Sequence, residues 1–250
     1  MITLVSVTYN AEKTIERTLQ SVAAQTCSDY EHLIIDGASK DRTVELARKY
    51  QTTIISEPDK GLYDAMNKAL RLAKGDFICF LNAGDKLHSP DTLSRIAALA
   101  DPQTVGVIYG DTDIVDDDGR KLRRRRLTPP DQLTWQSFRE GMLVCHQSFY
   151  VNRSIAQQYD LRYRFSADFD WCIRCMKEGE KRGLKNVRVM DADTPDSKEA
   201  VLTDYLSGGM TTANHKASLK ERFRIMSNHY GLLPTILRHI WFVVRSVIKK

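Results

Sequence analysis

The polar residues that could do chemistry stand where apolar runs end. Asn82 and Asp85 follow an apolar run at 77–81 and are separated by two small residues, Ala83 and Gly84. Carboxylate and amide oxygens suit Mg²⁺ or Mn²⁺, and one or two carboxylates are enough when a substrate supplies its own phosphates. The small residues would let a diphosphate come near the backbone. This stretch therefore predicts a metal and phosphate site.

Three earlier apolar runs end in the same way, at Thr8-Tyr9-Asn10, at Asp36-Gly37 and at Glu57-Pro58-Asp59. Ligands of parallel α/β sheets bind outside the carboxyl ends of the strands, so these polar groups are expected to line one cleft. The alternative for Asp36 and for Asp85 is a local role, in which each carboxylate caps its own turn or loop.

The segments that must position these groups alternate between strand and helix periodicity. The sequence predicts strands over 2–9, 30–36, 52–57 and 76–82, and helices over 11–25, 43–50, 62–73 and 89–100. Asn10 is expected at the N-cap of the first helix, and Ser89 and Pro90 at the start of the fourth. Such alternation predicts right-handed crossovers and a mostly parallel central sheet.

The pattern changes after residue 105. Residues 105–127 predict a strand, a turn at Asp118-Gly119 and a second strand. A further strand is expected over 146–152, and a helix over 168–179. We expect one domain over residues 1–215, followed by a helical tail over 216–250.

Composition and missing motifs exclude several classes of protein. The 250 residues carry 37 Lys and Arg against 32 Asp and Glu, and much of the positive excess lies late in the chain. No G-x-G-x-x-G or G-K-[ST] pattern occurs, which disfavours a dinucleotide fold of that type and a P-loop ATPase. The five cysteines are expected to be free thiols. The first residues have no basic leader, and the longest wholly apolar run, 240–244, is too short to cross a bilayer, so we expect a cytoplasmic protein.

Four segments together resemble a known family. They are VSVTYNAEKTIERTLQSVAAQT, IIDGASKDRT, EPDKGLYDAMNKALRLAKGDFICFLNAGD and SADFDW, in this order. They are similar to the family 2 glycosyltransferases of the GT-A fold, especially the bacterial members that build exopolysaccharide and lipopolysaccharide sugars. The resemblance covers residues 1–175. It implies the α/β nucleotide-diphospho-sugar transferase fold, with a mostly parallel central sheet, helices on both faces and C-terminal helices.

The resemblance also implies roles on the donor side of the site. Thr8, Tyr9 and Asn10 would line the nucleotide pocket, and Asp36 would accept a hydrogen bond from the base. Asp59 and the Lys60-Gly61 turn would lie near the ribose and the diphosphate.

The remaining implied roles concern the metal, the donor and the acceptor. The stretch from Asn82 to Asp85 takes the place of the Asp-x-Asp motif, where many relatives read Asp-Ala-Asp-Asp, and Asp85 is its remaining anionic metal ligand. His146, in a His-Gln pair, would lie near the donor. Asp168 matches the catalytic carboxylate. The cofactor implied is Mg²⁺ or Mn²⁺.

The implied reaction is an inverting transfer from a nucleotide-diphospho-sugar, with UDP as the default. The acceptor would be a glycan or a lipid-linked glycan in cell-surface polysaccharide synthesis. The alternative function is a catalytically weak module that binds nucleotide sugars or acts as a scaffold in a biosynthetic complex.

Several residues allow a second interpretation. Asp170 is the rival of Asp168 for the role of the carboxylate that faces the acceptor. The alternative is that the aspartate only caps the N-terminus of the following helix. The literal Asp-x-Asp at Asp111 and Asp113 is expected to be solvated rather than metal-binding. His215 is a weak candidate for contact with phosphate or metal, and Trp171 is expected in the core.

Two basic segments point to a surface rather than to nucleic acid. The run 123–126, four consecutive arginines, lacks interleaved aromatic residues and is expected to face an anionic membrane, a lipid-diphosphate acceptor or solvent. Residues 232–250 place apolar and basic side chains on opposite sides of a helix. That pattern fits an interfacial helix on an anionic membrane, at the inner face of the plasma membrane, or a helix packed on its own domain or on a partner subunit.

Overall fold

A sheet of seven strands forms the centre of the described part of the molecule. The structure is a computed structural model that describes residues 1–190, 200–208 and 214–248. Its strands are β1 (Ile2–Thr8), β2 (Tyr30–Asp36), β3 (Thr53–Ser56), β4 (Phe77–Phe80), β5 (Lys86–Leu87), β6 (Val105–Tyr109), β7 (Asp111–Val115), β8 (Lys121–Arg124), β9 (Phe149–Asn152), β10 (Lys185–Arg188) and β11 (Val201–Leu206). Its helices are α1 (Ile15–Ala23), α2 (Thr43–Ala47), α3 (Leu62–Leu72), α4 (Thr92–Ala97), α5 (Ala167–Lys181), α6 (His215–Tyr230) and α7 (Leu232–Ile248).

The central sheet runs in the order β10-β6-β9-β4-β1-β2-β3. The strands pair in parallel except for β9, which lies antiparallel between β4 and β6. The register sets Thr8 at the end of β1 beside Asp36 at the end of β2. The mostly parallel sheet expected from the sequence is therefore confirmed.

Helices cover both faces of this sheet. Successive strand residues point to opposite faces, so Phe80 packs with α3 and α5 while Cys79 packs with α1 and α4. Trp171 of α5 is fully buried on the first of these faces, as expected.

A second sheet, in the order β5-β11-β7-β8, closes over one end of the first. The strand predicted from residue 105 is divided between the two sheets at Gly110. A Cβ atom at Gly110 would lie 2.6 Å from Leu202 Cγ, so the chain can pass here only without a side chain. The predicted turn at Asp118-Gly119 is confirmed, because β7 and β8 pair antiparallel and Gly119 has a φ of 80°.

Three predicted helix and strand starts are wrong. α1 begins at Ile15 with Thr14 as its N-cap, because Asn10 instead bonds the loop after β2: its Oδ1 accepts from Lys40 N. α4 begins at Thr92, after an N-cap at Asp91, so Ser89 and Pro90 precede the helix.

The strand predicted over 146–152 begins only at Phe149, because His146–Ser148 form a 3₁₀ turn. α2 is also shorter than expected and ends at Ala47.

The two C-terminal helices begin at His215 and Leu232, and α6 packs against the residues that precede α5. Glu221 of α6 accepts hydrogen bonds from the backbone N–H groups of Arg164 and Phe165, at 2.8 Å each. Gly231, with a φ of 90°, separates α6 from α7. Among the described residues, no helix has both the length and the hydropathy that crossing a membrane requires.

Candidate active site

Two adjoining pockets open at the carboxyl ends of β1 and β4. Pocket A, about 390 Å³, has Thr8, Tyr9, Asn10 and Asp85 in its lining. Pocket B, about 360 Å³, includes Asp168. The two pockets share four wall residues, Leu62, Asn82, Gln147 and Tyr205. Of the strand-end polar groups singled out in the sequence, Thr8, Tyr9, Asn10, Asn82 and Asp85 line this two-compartment cleft, whereas Asp36 and Asp59 line neither pocket.

Pocket A is bordered by the end of β1. Tyr9 is 66% exposed, which leaves its ring free to stack on a planar ligand. Asn10 has a φ of 48°, the left-handed region in which asparagine is one of the tolerated residues. Its side chain and its backbone N–H both bond the loop after β2, so the two loops are held as a unit.

Asp36, at the end of β2, holds the neighbouring residues of this sheet edge in place through hydrogen bonds. It is fully buried and accepts four hydrogen bonds, from Thr8 Oγ1, Ser56 Oγ and both the Oγ and N of Ser39. Burial alone would raise the pKa of Asp36, but the hydrogen bonds from Ser39, Ser56 and Thr8 outweigh it and lower the pKa. Asp36 does not belong to the lining of either pocket.

Asp59 lies at the same edge. A Cβ atom added to Gly37 would meet Asp59 Oδ2 at 2.7 Å and the Tyr9 ring at 3.4 Å, so the ends of β1, β2 and β3 meet here. Asp59 Oδ1 accepts from Gly61 N at 2.7 Å and thereby shapes the turn into α3. Lys60 and Gly61 are exposed, and neither lines a described pocket.

The end of β4 is fixed by hydrogen bonds from two neighbouring elements. Ser6 Oγ of β1 donates to Leu81 O at 2.6 Å, immediately before Asn82. Thr18 Oγ1 of α1 donates to Asp85 O at 2.6 Å and accepts from Gly84 N at 2.9 Å.

Gly84 is required by packing, and not by the approach of a diphosphate that the sequence suggested. Its φ is 101°, and a Cβ atom there would lie 2.8 Å from the side chain of Leu206 in β11. Gly84 thus makes room for the second sheet, whereas Ala83 lines pocket A.

Asn82 and Asp85 offer oxygens suited to a divalent cation. Asn82 Oδ1 is buried and has no hydrogen-bond partner among the described residues. Asp85 is 3% exposed, accepts from Leu206 N and Gln147 Nε2, and has its pKa raised by burial to about 7. One carboxylate and one unpartnered amide oxygen at one pocket wall fit Mg²⁺ or Mn²⁺ when a phosphate ligand completes the set.

The literal Asp-x-Asp has another role. Asp111 is paired with Arg188 at 2.7 Å, and Asp113 with Arg124 at 2.6 Å and Lys121 at 2.8 Å. Both carboxylates are buried rather than solvated, because β7 lies inside the second sheet and these cations compensate their charge. The expectation of solvation is therefore wrong.

Asp168 and Asp170 have distinct environments on the first turn of α5. Asp168 lines pocket B and accepts from Tyr63 Oη at 3.2 Å. Asp170 is buried and bound by Arg174 at 2.6 Å and by His229 at 2.8 Å. Of the two, Asp168 is the carboxylate that a ligand in pocket B can reach.

His146 lies in pocket B rather than among the residues of pocket A. Its Nε2 is 2.6 Å from Tyr159 Oη, and its ring stacks on Phe80 at 5.3 Å. Burial lowers the pKa of His146 to about 4, so the ring is neutral near pH 7. His215, by contrast, is exposed at the start of α6 and lines neither described pocket.

Sequence reasoning gave Gln147 no role beyond its place in the His-Gln pair, and it missed Tyr205 and Leu206 as site residues. Gln147 lines both pockets and donates to Asp85 at 2.8 Å, and its position beside His146 was the one available signal. Tyr205 and Leu206 reach the site from β11, about 120 residues away in sequence, and no local pattern marks them.

Comparisons with known proteins agree with this architecture. Residues 3–160 match the family described as glycosyl transferase family 2. A PGL/p-HBAD biosynthesis glycosyltransferase of Mycobacterium tuberculosis is 33% identical over 185 residues, which cover 70% of this chain and 69% of the relative. The amylovoran biosynthesis glycosyltransferase AmsB of Erwinia amylovora is 27% identical over 192 residues, which cover 69% and 63% of the two chains.

Solved structures share the fold at low sequence identity. TarS 1–349 of S. aureus in complex with UDP-GlcNAc matches with a TM-score of 0.69 and 15% identity, over 96% of this chain and 73% of that one. The mannosyltransferase PcManGT of Pyrobaculum calidifontis in complex with GDP-Man and Mn²⁺ matches with a TM-score of 0.56 and 16% identity, over 95% and 73%. The expected GT-A fold is thus confirmed, and the chain is a member of glycosyl transferase family 2 and a glycosyltransferase.

Proposed function

We propose that the chain is an inverting glycosyltransferase that uses a nucleotide-diphospho-sugar, with UDP-sugars as the first choice. Its acceptor would be a saccharide or a lipid-linked saccharide in cell-surface polysaccharide synthesis. The observation that carries the proposal is the wall shared by the two pockets, which has Thr8, Asn10 and Asp85 on one side and Asp168 on the other. AmsB, a relative named for polysaccharide biosynthesis, and TarS, solved with UDP-GlcNAc, support the substrate classes.

In this proposal the nucleotide occupies pocket A. Tyr9 offers a ring to the base, Asp59 lies near the ribose, and Asp36 acts through Thr8 and Ser39, which it holds in place. The sugar then lies at the shared wall, near Asn82 and Gln147.

Asp168 is the proposed base. It takes the proton of the acceptor hydroxyl, and the oxygen attacks the anomeric carbon. The bond between that carbon and the phosphate oxygen breaks, and the nucleoside diphosphate leaves from the opposite face with the bonding electrons. The hydrogen bond from Tyr63 Oη orients the carboxylate toward pocket B.

Asp85 and Asn82 are the proposed holders of Mg²⁺ or Mn²⁺. When bound, such an ion offsets the negative charge of a leaving diphosphate. Calorimetry with UDP, with and without Mn²⁺, tests this role. The Mn²⁺-dependent gain in UDP affinity should disappear in Asp85→Asn and persist in Asp117→Asn, which alters an exposed carboxylate on the turn between β7 and β8.

The decisive variant for catalysis is Asp168→Asn. We expect the transfer rate to fall by about 10²–10⁴-fold, while UDP affinity stays within about twofold of the wild type. Asp117→Asn is the matched control and should leave both values unchanged. Equal transfer by wild type and Asp168→Asn would refute catalysis by this residue and favour the alternative, a binding or scaffolding module.

We also propose that α7 attaches the enzyme to the cytoplasmic face of an anionic membrane. The helix has its apolar side outward, and about half of its circumference carries exposed apolar residues. They are Leu232, Leu233, Ile236, Leu237, Ile240, Trp241, Val243 and Val244. The inward side includes the buried Thr235 and Arg238, which pairs with Glu140.

The charge of this region complements anionic lipid. Residues 215–250 contain eight Lys and Arg against one acidic residue, Glu221. An apolar helix face beside basic residues is the arrangement of interfacial helices, whose binding combines apolar burial with attraction to anionic headgroups.

Vesicle flotation tests the attachment. The wild type should float with vesicles containing phosphatidylglycerol and remain behind with pure phosphatidylcholine. Leu237→Glu with Ile240→Glu should abolish flotation, whereas Leu161→Glu, an equally exposed leucine before α5, should not. Concentration-dependent dimers that the double variant abolishes, without flotation of the wild type, would instead identify a second copy as the occupant.

A further inference from the structure

The walls of pocket B concentrate guanidinium groups. Arg123, Arg125 and Arg126 come from β8 and the residues after it, and Arg222 comes from α6. Among the described residues that line the pocket, Asp168 is the one carboxylate. The neutral ring of His146 adds no charge, so four cations face one anion.

The alternation of β8 explains why Arg123 and Arg125 face the pocket. Arg124 points to the other side, where it pairs with Asp113 at 2.6 Å. The strand ladder extends one step past β8, since Arg125 N donates to Thr112 O at 3.0 Å. Arg123 and Arg125 therefore share the opposite face. The four-arginine run is divided between an ion pair and a ligand pocket.

Arg125 is held rigidly without being neutralised. Its Nη1 donates to Leu127 O at 2.7 Å and its Nη2 to Met142 O at 2.5 Å. These carbonyls provide hydrogen bonds but carry no net charge. Burial lowers the pKa of Arg125, and the nearby charge of Arg222 lowers it further.

Arg222 has a buried donor without a partner. Its Nε makes no hydrogen bond to any described residue, although the atom is shielded from solvent. A buried charged donor without an acceptor is costly, and a ligand oxygen would relieve that cost.

We propose that pocket B binds an acceptor that carries a phosphoryl group near the hydroxyl that receives the sugar. This inference rests on the proposed function and names its acceptor class. Guanidinium forks match phosphate oxygens in a bidentate manner, and a phosphoryl group brings up to about two negative charges. The described lining of pocket A contains no Lys or Arg, so the arginines belong to the compartment of Asp168 and not to that of Asn10.

Calorimetry on the full chain tests the proposal with glycerol 3-phosphate as the probe and glycerol as its neutral counterpart. The protein is first saturated with UDP and Mn²⁺, so that the diphosphate site is filled. Glycerol 3-phosphate should then bind saturably and glycerol should not. Arg222→Gln and Arg126→Gln should each weaken that binding by about tenfold.

Arg224→Gln is the matched control. Arg224 is exposed on the same helix and is absent from the lining of pocket B, so its replacement should leave phosphate binding unchanged. Thermal unfolding of each variant distinguishes loss of the site from loss of the fold. Arg126 is exposed and its replacement is not expected to disturb folding.

Other results would overturn the inference in distinguishable ways. If glycerol 3-phosphate does not bind to the UDP-loaded protein, pocket B is not an anion site and the inference is refuted. A fall in UDP affinity of similar size in Arg222→Gln and Arg126→Gln would assign the arginines to the donor diphosphate instead. Phosphate binding without any UDP binding would leave the anion site in place but would overturn the proposed function, and with it the assignment of the phosphate carrier as an acceptor.

A second probe separates two sources of the phosphoryl group. Geranyl diphosphate represents a lipid-linked diphosphate, and glycerol 3-phosphate represents phosphate within a glycan. Tighter binding of geranyl diphosphate, weakened by Arg222→Gln, supports the lipid-linked source. Equal affinity for the two probes supports the glycan source.

Discussion

His32, in β2, should make the fold sensitive to acid. It is 3% exposed, and its Nε2 lies 2.9 Å from Ser6 Oγ. Ser6 already donates to Leu81 O, so its oxygen accepts from Nε2–H, which places a proton on Nε2. Burial lowers the pKa of His32 from 6.5 to about 4.

The direction of the pH effect follows from this shift. The unfolded chain takes up the histidine proton at a higher pH than the folded chain does, so acid favours unfolding. The contribution of His32 is intact above pH 7 and is lost as the pH falls from 6.5 toward 4. Linkage with these pKa values gives a loss of about 2 kcal/mol at pH 5, and about 3.4 kcal/mol once the pH is well below 4.

Urea unfolding of the wild type and His32→Gln, followed by tryptophan fluorescence at pH 7.5 and pH 5.0, measures this loss. Glutamine retains an N–H donor for Ser6 but does not titrate. Other titrating groups, such as His146 and Asp85, are common to both proteins and cancel in the comparison. From pH 7.5 to pH 5.0, the wild type should lose about 2 kcal/mol of unfolding free energy relative to the variant.

The reasoning fails if the difference between the two proteins changes by less than about 0.5 kcal/mol, well under the linkage value. It also fails if the change favours the wild type. A titration of the His32 ring by NMR checks the cause directly, because the ring should remain neutral at pH 5.

Two further predictions concern packing and charge. Gly110→Ala should destabilise the fold by about 1–3 kcal/mol, because the added Cβ atom meets Leu202 at 2.6 Å; urea unfolding would show this, and an unchanged midpoint would contradict the close packing. Asp170→Asn should destabilise by about 3 kcal/mol, because it removes the carboxylate that Arg174 and His229 share. Thermal unfolding measures that loss, and a melting temperature equal to that of the wild type would show that the pair contributes nothing.

The strands of the first hundred residues were readable from sequence because their signals are local. Runs such as Ile2–Thr8 and Tyr30–Asp36 carry their own hydrophobic pattern, and the parallel sheet brings their ends together whatever the intervening loops contain. The convergence of Asn10 and Asp85 on pocket A follows from that topology, whereas Asp168 reaches the adjoining pocket from the first turn of α5.

The second sheet could not be read in the same way. β11 pairs with β7 and β5, which precede it by roughly 90 to 120 residues, and its residues Tyr205 and Leu206 complete the site. The prediction that Asn10 caps α1 was wrong for a related reason. Its competing hydrogen bonds come from Ser39 and Lys40, which the local sequence around α1 does not include.

The outward apolar side of α7 has a practical consequence for handling the protein. In dilute buffer without lipid, chains can bury Ile240 and Trp241 only against one another. Aggregation should therefore increase with protein concentration and decrease when a mild detergent is added. Neither residue lines the described pockets. Polar replacements at these two positions therefore offer a route to crystals that leaves both pockets unaltered.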